Sequence, residues 1–171
     1  MIISLTGFMG CGKSSVGREL SRLLCCPFMD LDSVIEEREG RRIPEIFATE
    51  GEAAFRRMEA EALRKCIYGQ ASDKLVVALG GGTVMTEECA KIVHEKTVCI
   101  YLRASVETLM VHLAGEVNNR PMLAGNLRTR IEELMSIRSA TYEKTAHIMI
   151  DTDGKTIEEI AREISIKGLF I

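Results

Sequence analysis

The sequence predicts an α/β fold, a parallel sheet with helices on both faces. Short apolar runs alternate with amphipathic helical stretches from end to end, as expected when parallel strands are joined by right-handed crossovers. The runs are brief and apolar on both sides, like strands covered twice. A glycine-rich segment, Gly7-Phe8-Met9-Gly10-Cys11-Gly12-Lys13-Ser14-Ser15, joins the first run to the first helical stretch.

In order, strands are expected at 2–6, 27–30, 74–79, 97–102 and 147–150. Helices are expected at 13–24, 32–39, 43–49, 51–69, 86–94, 105–113, 126–144 and 156–166. After the glycine segment, Val16, Leu20, Leu23 and Leu24 recur at helical spacing. The last helix carries Ile157, Ile160, Ala161 and Ile164 on one face, with Thr156 and Glu159 spaced as a capping box. Residues 114–125 break the periodicity with two glycines, two asparagines and a proline. A connection of that length inside a compact domain tends to be functional, often a lid. With 171 residues, 46% of them hydrophobic, the chain suits one domain, 1–171, with no second core.

Composition excludes several classes. A net charge of −3 argues against a nucleic-acid partner, which calls for a basic excess. No apolar run approaches the ~20 residues that span a membrane, and the first strand starts at once, so no signal peptide is expected. A soluble cytoplasmic protein is expected, with a monomer as the default. The six cysteines, Cys11, Cys25, Cys26, Cys66, Cys89 and Cys99, show no C-x-x-C spacing. His94, His112 and His147 are scattered among apolar neighbours. All nine read as structural, since free cysteine commonly serves as a small buried hydrophobe. Cys11 is the exception in position: inside the glycine segment, its alkylation or oxidation is expected to block nucleotide binding.

The glycine segment has the form G-x-x-x-x-G-K-S/T from Gly7 to Ser14. A glycine-rich turn is the plainer alternative, but the full motif between a strand and a helix points to a bound nucleoside triphosphate. Backbone N–H groups around Gly10, Cys11, Gly12 and Ser15 would face phosphate oxygens at the positive end of the helix. Lys13 would reach the β- and γ-phosphates, and the Ser14 hydroxyl would ligate Mg²⁺.

That loop does not separate GTPases, ATPases and kinases. No guanine-reading N-K-x-D occurs, and the D-x-x-G at Asp151–Gly154 comes too late for a GTPase switch. A motor ATPase would carry an apolar strand ending in Asp, whereas 74–79 ends in Leu79-Gly80-Gly81-Gly82. Three glycines there cost roughly 0.5–1 kcal/mol each relative to Ala in a regular element. They suit a ligand lying against bare backbone, or a tight turn. The second strand ends at Asp30-Leu31-Asp32, and in extended chain both carboxylates point the same way. One would hold water on Mg²⁺ and the other accept from an attacking hydroxyl, unless either caps the next helix. Arg138 shares a helical stripe with Ile131, Leu134, Met135 and Tyr142, so it should face inward, toward a site or a buried partner. Arg56 is either paired by Glu59 at i+3 or an ordinary exposed helix residue. Aspartates and arginines around a triglycine suit a small ligand with hydroxyls and a carboxylate, which arginine grips in a bidentate fork.

With these residues in view, the chain resembles the shikimate kinases, in the nucleoside monophosphate kinase-like branch of phosphate-loop proteins. The resemblance rests on Gly7–Ser14, Asp30-Leu31-Asp32, Phe55-Arg56-Arg57-Met58-Glu59, Leu79-Gly80-Gly81-Gly82, Asn119-Arg120-Pro121-Met122-Leu123 and Arg138-Ser139-Ala140-Thr141-Tyr142, in the family's order from end to end. It implies a three-layer α/β/α fold with a five-stranded parallel sheet in order 2-3-1-4-5, and transfer of the γ-phosphoryl of ATP to the 3-hydroxyl of shikimate. By that likeness Asp32 accepts from the hydroxyl as base or orienter, Arg56 and Arg138 hold the carboxylate, and Gly80, Gly81 and Gly82 complete the pocket. Asp30 would stand behind Mg²⁺ through water, while Lys13 and the lid residue Arg120 would meet the phosphates. The lid carries fewer cations than is usual in the family. The loop Asp151-Thr152-Asp153-Gly154-Lys155 stands where the family cradles adenine. The alternatives are another small-metabolite kinase, such as a gluconate kinase, or a non-catalytic ATP-binding regulatory module.

Overall fold

All five apolar runs become strands: β1 (Ile2–Thr6), β2 (Phe28–Asp30), β3 (Leu75–Ala78), β4 (Val98–Arg103) and β5 (Ile148–Asp151). A computed structural model describes residues 1–69, 71–114 and 121–167. Within it the strands form one sheet in the order β2-β3-β1-β4-β5, every pairing parallel. The order and the alternation are those expected. After β1 the chain builds β2 and β3 on one side, then crosses to β4 on the other, so the topology reverses at β1. Ligands of open α/β sheets collect beyond the carboxyl ends of the strands at such a reversal.

The helices are α1 (Lys13–Leu24), α2 (Leu31–Glu39), α3 (Ile43–Tyr68), α4 (Glu87–Lys96), α5 (Val106–Leu113), α6 (Leu127–Thr145) and α7 (Ile157–Lys167). Helix α1 packs along α7 and under β3, while α4 and α6 pack over β4. Side chains alternate along β1 to match: Leu5 lies at van der Waals range of α1, and Ser4 bonds Thr97 at the end of α4. The core between the layers holds Leu5, Leu20, Leu63, Val76, Ile100, Leu102 and Ile164, all sealed from solvent.

The helices expected at 43–49 and 51–69 form one continuous span, yet the break is there: Gly51 has φ 81, ψ 176, outside helical geometry. The capping box ahead of α7 is present in both directions. Thr156 N–H donates to Glu159 Oε2 at 2.7 Å, and Glu159 N–H donates to Thr156 Oγ1 at 3.2 Å.

One expectation fails. Asp30-Leu31-Asp32 is not a continuous extended segment, because β2 stops at Asp30 and α2 begins at Leu31. Asp30 is the N-cap of α2, its side chain accepting from Ser33 N–H, and Asp32 lies in the first helical turn. The two carboxylates therefore leave the chain in different geometries rather than side by side on a strand. A short polar side chain at the end of a three-residue strand satisfies an orphan helix donor, and that preference for capping decides the local structure. Of the lid segment 114–125, residues 121–123 form a 3-10 turn. Its candidate Arg120 lies outside the described residues.

Candidate active site

The site is built at the carboxyl edge of the sheet, where β1 runs into the glycine loop. Gly7, Gly10 and Gly12 all have positive φ, at 142°, 79° and 97°, a conformation costly for other residues. Gly12 is the N-cap of α1 and supplies no side-chain acceptor, whereas Asp30, Ser105 and Asn126 cap α2, α5 and α6 with side-chain bonds. The first amides of α1 are thus left for an outside acceptor, and an anion is the natural one. Lys13 is buried, its Nζ donating to Gly7 O and Phe8 O at 2.9 Å each. Its ammonium is folded against the loop's own carbonyls, beside the place where phosphate would sit. Ser14 Oγ donates to Asp30 Oδ2. Asp30 thus caps α2 and meets the loop hydroxyl at once, and these two hard oxygen donors suit a magnesium ion and its water. Cys11 is only 3% exposed, and its Sγ lies 3.8 Å from Lys13 Nζ within the loop.

Across the cleft, the three glycines after β3 lie against charged groups, two of them too closely for a side chain. A Cβ at Gly80 would lie 2.7 Å from Glu59 Oε1, 2.8 Å from Asp32 Oδ1 and 3.0 Å from Thr83 Oγ1. At Gly81 it would lie 3.6 Å from Arg138 Nη1, and at Gly82 2.6 Å from Arg56 Nη1. The run is therefore more than a turn, since a side chain at Gly80 or Gly82 would displace part of the site. It brings together Asp32 from α2, Arg56 and Glu59 from α3, and Arg138 from α6.

Each arginine is held differently. Arg56 Nη1 donates to Glu59 Oε2 at 2.7 Å, and Nη2 lies 3.4 Å from Glu52 Oε1. Burial works against the Arg56 charge, but Glu59 and then Glu52 outweigh it and raise its pKa above the ordinary value. Glu59 is 1% exposed and also accepts from Thr83 Oγ1 at 2.6 Å. Arg138 is 4% exposed, and its Nη1 has no hydrogen-bond partner. Below it Tyr142 Oη donates to the Gly81 carbonyl. Burial raises the Tyr142 pKa and the neighbouring Arg138 partly offsets the shift, so the phenol stays a donor.

A cleft of ≈ 1070 Å³ joins the two halves, lined on the phosphate side by Gly10–Ser15 and on the other by Asp32, Arg56, Gly80–Gly82 and Arg138. Thr152 and Lys155, from the loop after β5, also line it. Two contributions escaped the sequence reading. Ile43, Pro44 and Phe47 at the start of α3 join Phe55 as an apolar wall, and helical periodicity alone makes them look like core. His112 lines the cleft as well and contacts the Gly10 carbonyl; its place just before segment 114–125 in the sequence was the only available signal. The remaining cysteines and histidines are away from the cleft. Burial pushes Cys89 up to about 11 and Cys99 up to about 12, which keeps both as inert thiols.

A glycine loop opening a helix at the reversal point of a parallel sheet, with a pocket of charged residues beside it, defines the α/β phosphate-loop kinase class. The comparisons with known proteins narrow it. The family model described as shikimate kinase matches residues 9–167. The chain is 45% identical to a shikimate kinase of Thermus thermophilus over 163 residues, covering 95% of this chain and 86% of that one. It is 41% identical to one of Bordetella pertussis, covering 95% and 75%. Among solved structures, a shikimate kinase of Acinetobacter baumannii in complex with shikimate superposes with a TM-score of 0.94 at 34% identity, covering 99% of this chain and 93% of that one. One from Aquifex aeolicus gives 0.85 at 34%, covering 100% and 99%. The chain belongs to the shikimate kinase family.

Proposed function

We propose that the chain transfers the γ-phosphoryl of ATP to the 3-hydroxyl of shikimate. The observation that carries this reading is the buried, unpartnered Nη1 of Arg138 facing the triglycine, across from Arg56. A buried donor left unmade is costly, and an anionic ligand that completes it recovers that cost. The carboxylate of shikimate fits between two guanidinium groups, and its ring fits the apolar wall of Ile43, Pro44, Phe47 and Phe55.

In this reading Asp32 accepts from the 3-hydroxyl, as base or orienter, while that oxygen bonds to the γ-phosphorus and the bond to ADP breaks. Gly10, Cys11, Gly12, Ser14 and Ser15 cradle the phosphates. Lys13 exchanges its loop carbonyls for phosphate oxygens, and Arg120 closes from the lid onto the developing charge. Mg²⁺ suits the Ser14 hydroxyl, with Asp30 behind its water, and when bound it would neutralise charge on the phosphates. Phosphoryl transfer asks the protein mainly for positioning and charge stabilisation, and lid closure would exclude competing water. Among the described residues no helix is long and apolar enough to cross a membrane, and we take the enzyme to be a cytoplasmic monomer.

ADP release from ATP and Mg²⁺ is the test, with shikimate, gluconate or AMP as acceptor. Release with shikimate alone is expected. Release with gluconate or AMP instead would discard the acceptor pocket, and tight ATP binding without turnover would favour a regulatory module. Arg120→Ala is expected to lower kcat by about 10³- to 10⁵-fold, the scale of an arginine meeting transition-state charge in phosphate-loop enzymes, with KM for shikimate little changed.

A further inference from the structure

Helix α5 ends one residue after His112, and its last turn lies against the tip of the phosphate loop. His112 Nδ1 sits 2.7 Å from the Gly10 carbonyl oxygen. A carbonyl oxygen only accepts, so Nδ1 carries the proton and donates it, whether the ring is neutral or charged. The Leu113 side chain presses on the same glycine, since a Cβ at Gly10 would lie 2.8 Å from Leu113 Cδ2. On the other edge of that peptide, Cys11 N–H donates to Phe8 O at 3.2 Å.

The Gly10–Cys11 peptide is planar, so a bond on its oxygen and another on its N–H together fix the plane. Gly10 sits at φ 79°, a region glycine enters and leaves freely. Without a bond on its oxygen, only the Cys11 N–H to Phe8 O bond would fix the plane of this peptide. The next residues are Gly12, Lys13 and Ser14, where the uncapped end of α1 begins.

We propose that His112 is a positioning residue for nucleotide binding: it pins the Gly10–Cys11 peptide from the end of α5 and so holds the loop open to phosphate. The proposal rests on the nucleotide-binding half of the reading above. It adds that the cradle is set from the root of segment 114–125, into which α5 runs directly.

ATP binding measured by calorimetry without acceptor, steady-state kinetics and Tm read three variants. His112→Ala is expected to weaken ATP binding and raise KM for ATP about 3- to 10-fold, the scale of one net hydrogen bond. KM for shikimate and Tm should hold, because the imidazole is exposed. His112→Asn places an amide N–H where Nδ1 stood and is expected to restore ATP binding; His112→Gln, reaching toward the Nε2 position, is not. Unchanged ATP binding in His112→Ala overturns the proposal. So does rescue by Gln but not Asn, which would mean that the distal ring nitrogen meets the nucleotide directly. A loss of Tm that moves every constant together would overturn it too, by reducing His112 to a structural role. Because ATP binding is read without acceptor, the result stands apart from whether shikimate is the substrate.

Discussion

The two ends of the sheet treat their polar groups in opposite ways. At the amino end Ser4 Oγ bonds Thr97 Oγ1 at 2.6 Å, and Thr97 Oγ1 donates onward to Val93 O at 2.7 Å. Nearby, His94 Nδ1 meets Thr145 O at 3.0 Å, Cys99 N–H donates to His147 Nδ1 at 3.0 Å, and the two imidazoles stack at 4.6 Å. At the carboxyl end, by contrast, lie the only two buried side-chain atoms without a partner among the described residues, Thr6 Oγ1 and Arg138 Nη1. There α1 also begins without a side-chain cap. One end spends its polar groups on the fold, and the other keeps them for a ligand. The same sheet can do both because each end faces different helices and loops.

The sharpest way to break this contrast is to remove the guanidinium that carries the unpartnered Nη1 while keeping its bulk. Arg138→Met is expected to raise KM for shikimate about 10- to 150-fold, as for the loss of charge-assisted hydrogen bonds worth about 1.5–3 kcal/mol. Tm should hold or rise, because a buried nitrogen without a hydrogen-bond partner is removed from the free protein. A large fall in Tm with little change in KM would show that Arg138 serves the fold instead.

The opposite result is expected at the other end. Thr97→Val leaves the Ser4 hydroxyl without its acceptor in a sealed site and should cost about 1–3 kcal/mol of stability. In a chain of this size that lowers Tm by several degrees, while kcat and both KM values stay put. Altered kinetics at fixed Tm would dissolve the division between the two ends.

The functional end was more legible in the sequence than the structural one, for a physical reason. Phosphate binding is local: the loop, its lysine and its hydroxyl lie within nine consecutive residues, Gly7–Ser15, so spacing alone carries the chemistry. The triglycine and the inward arginines also left local traces, as bare backbone and as a cation on an apolar stripe. The strands, the break at Gly51 and the capping box of α7 were legible for the same reason. Long-range pairings left none. His94 and His147 come from the end of α4 and the start of β5, and nothing near either residue indicates the other. Asp30-Leu31-Asp32 misled because spacing cannot say where a short strand ends, and the capping demand of α2 ended it one residue into the triplet. His112 was missed because a lone histidine among apolar neighbours reads as structural.

The stacked histidines offer the mildest test, and its sign is fixed by the geometry. His147 Nδ1 accepts the Cys99 N–H, so a proton on that nitrogen breaks the bond. Burial, and then the neighbouring His94, hold the His147 pKa below its ordinary value of 6.5. A depressed histidine pKa means that the fold prefers the neutral ring. The stabilisation is therefore full above the unfolded pKa and is lost as the pH falls below about 6.5. Because the ring is largely exposed, water screens the effect to less than about 1 kcal/mol, at most about 2–4 °C in Tm. Melting the wild type and His147→Asn between pH 7.5 and 5.5 isolates it, as an asparagine carbonyl can accept the same N–H without titrating. The wild type should lose more Tm on acidification than the variant, with turnover per folded molecule equal in the two. Equal slopes would show that the pair is indifferent to its proton, and that the amino end draws its stability from Ser4 and Thr97 instead.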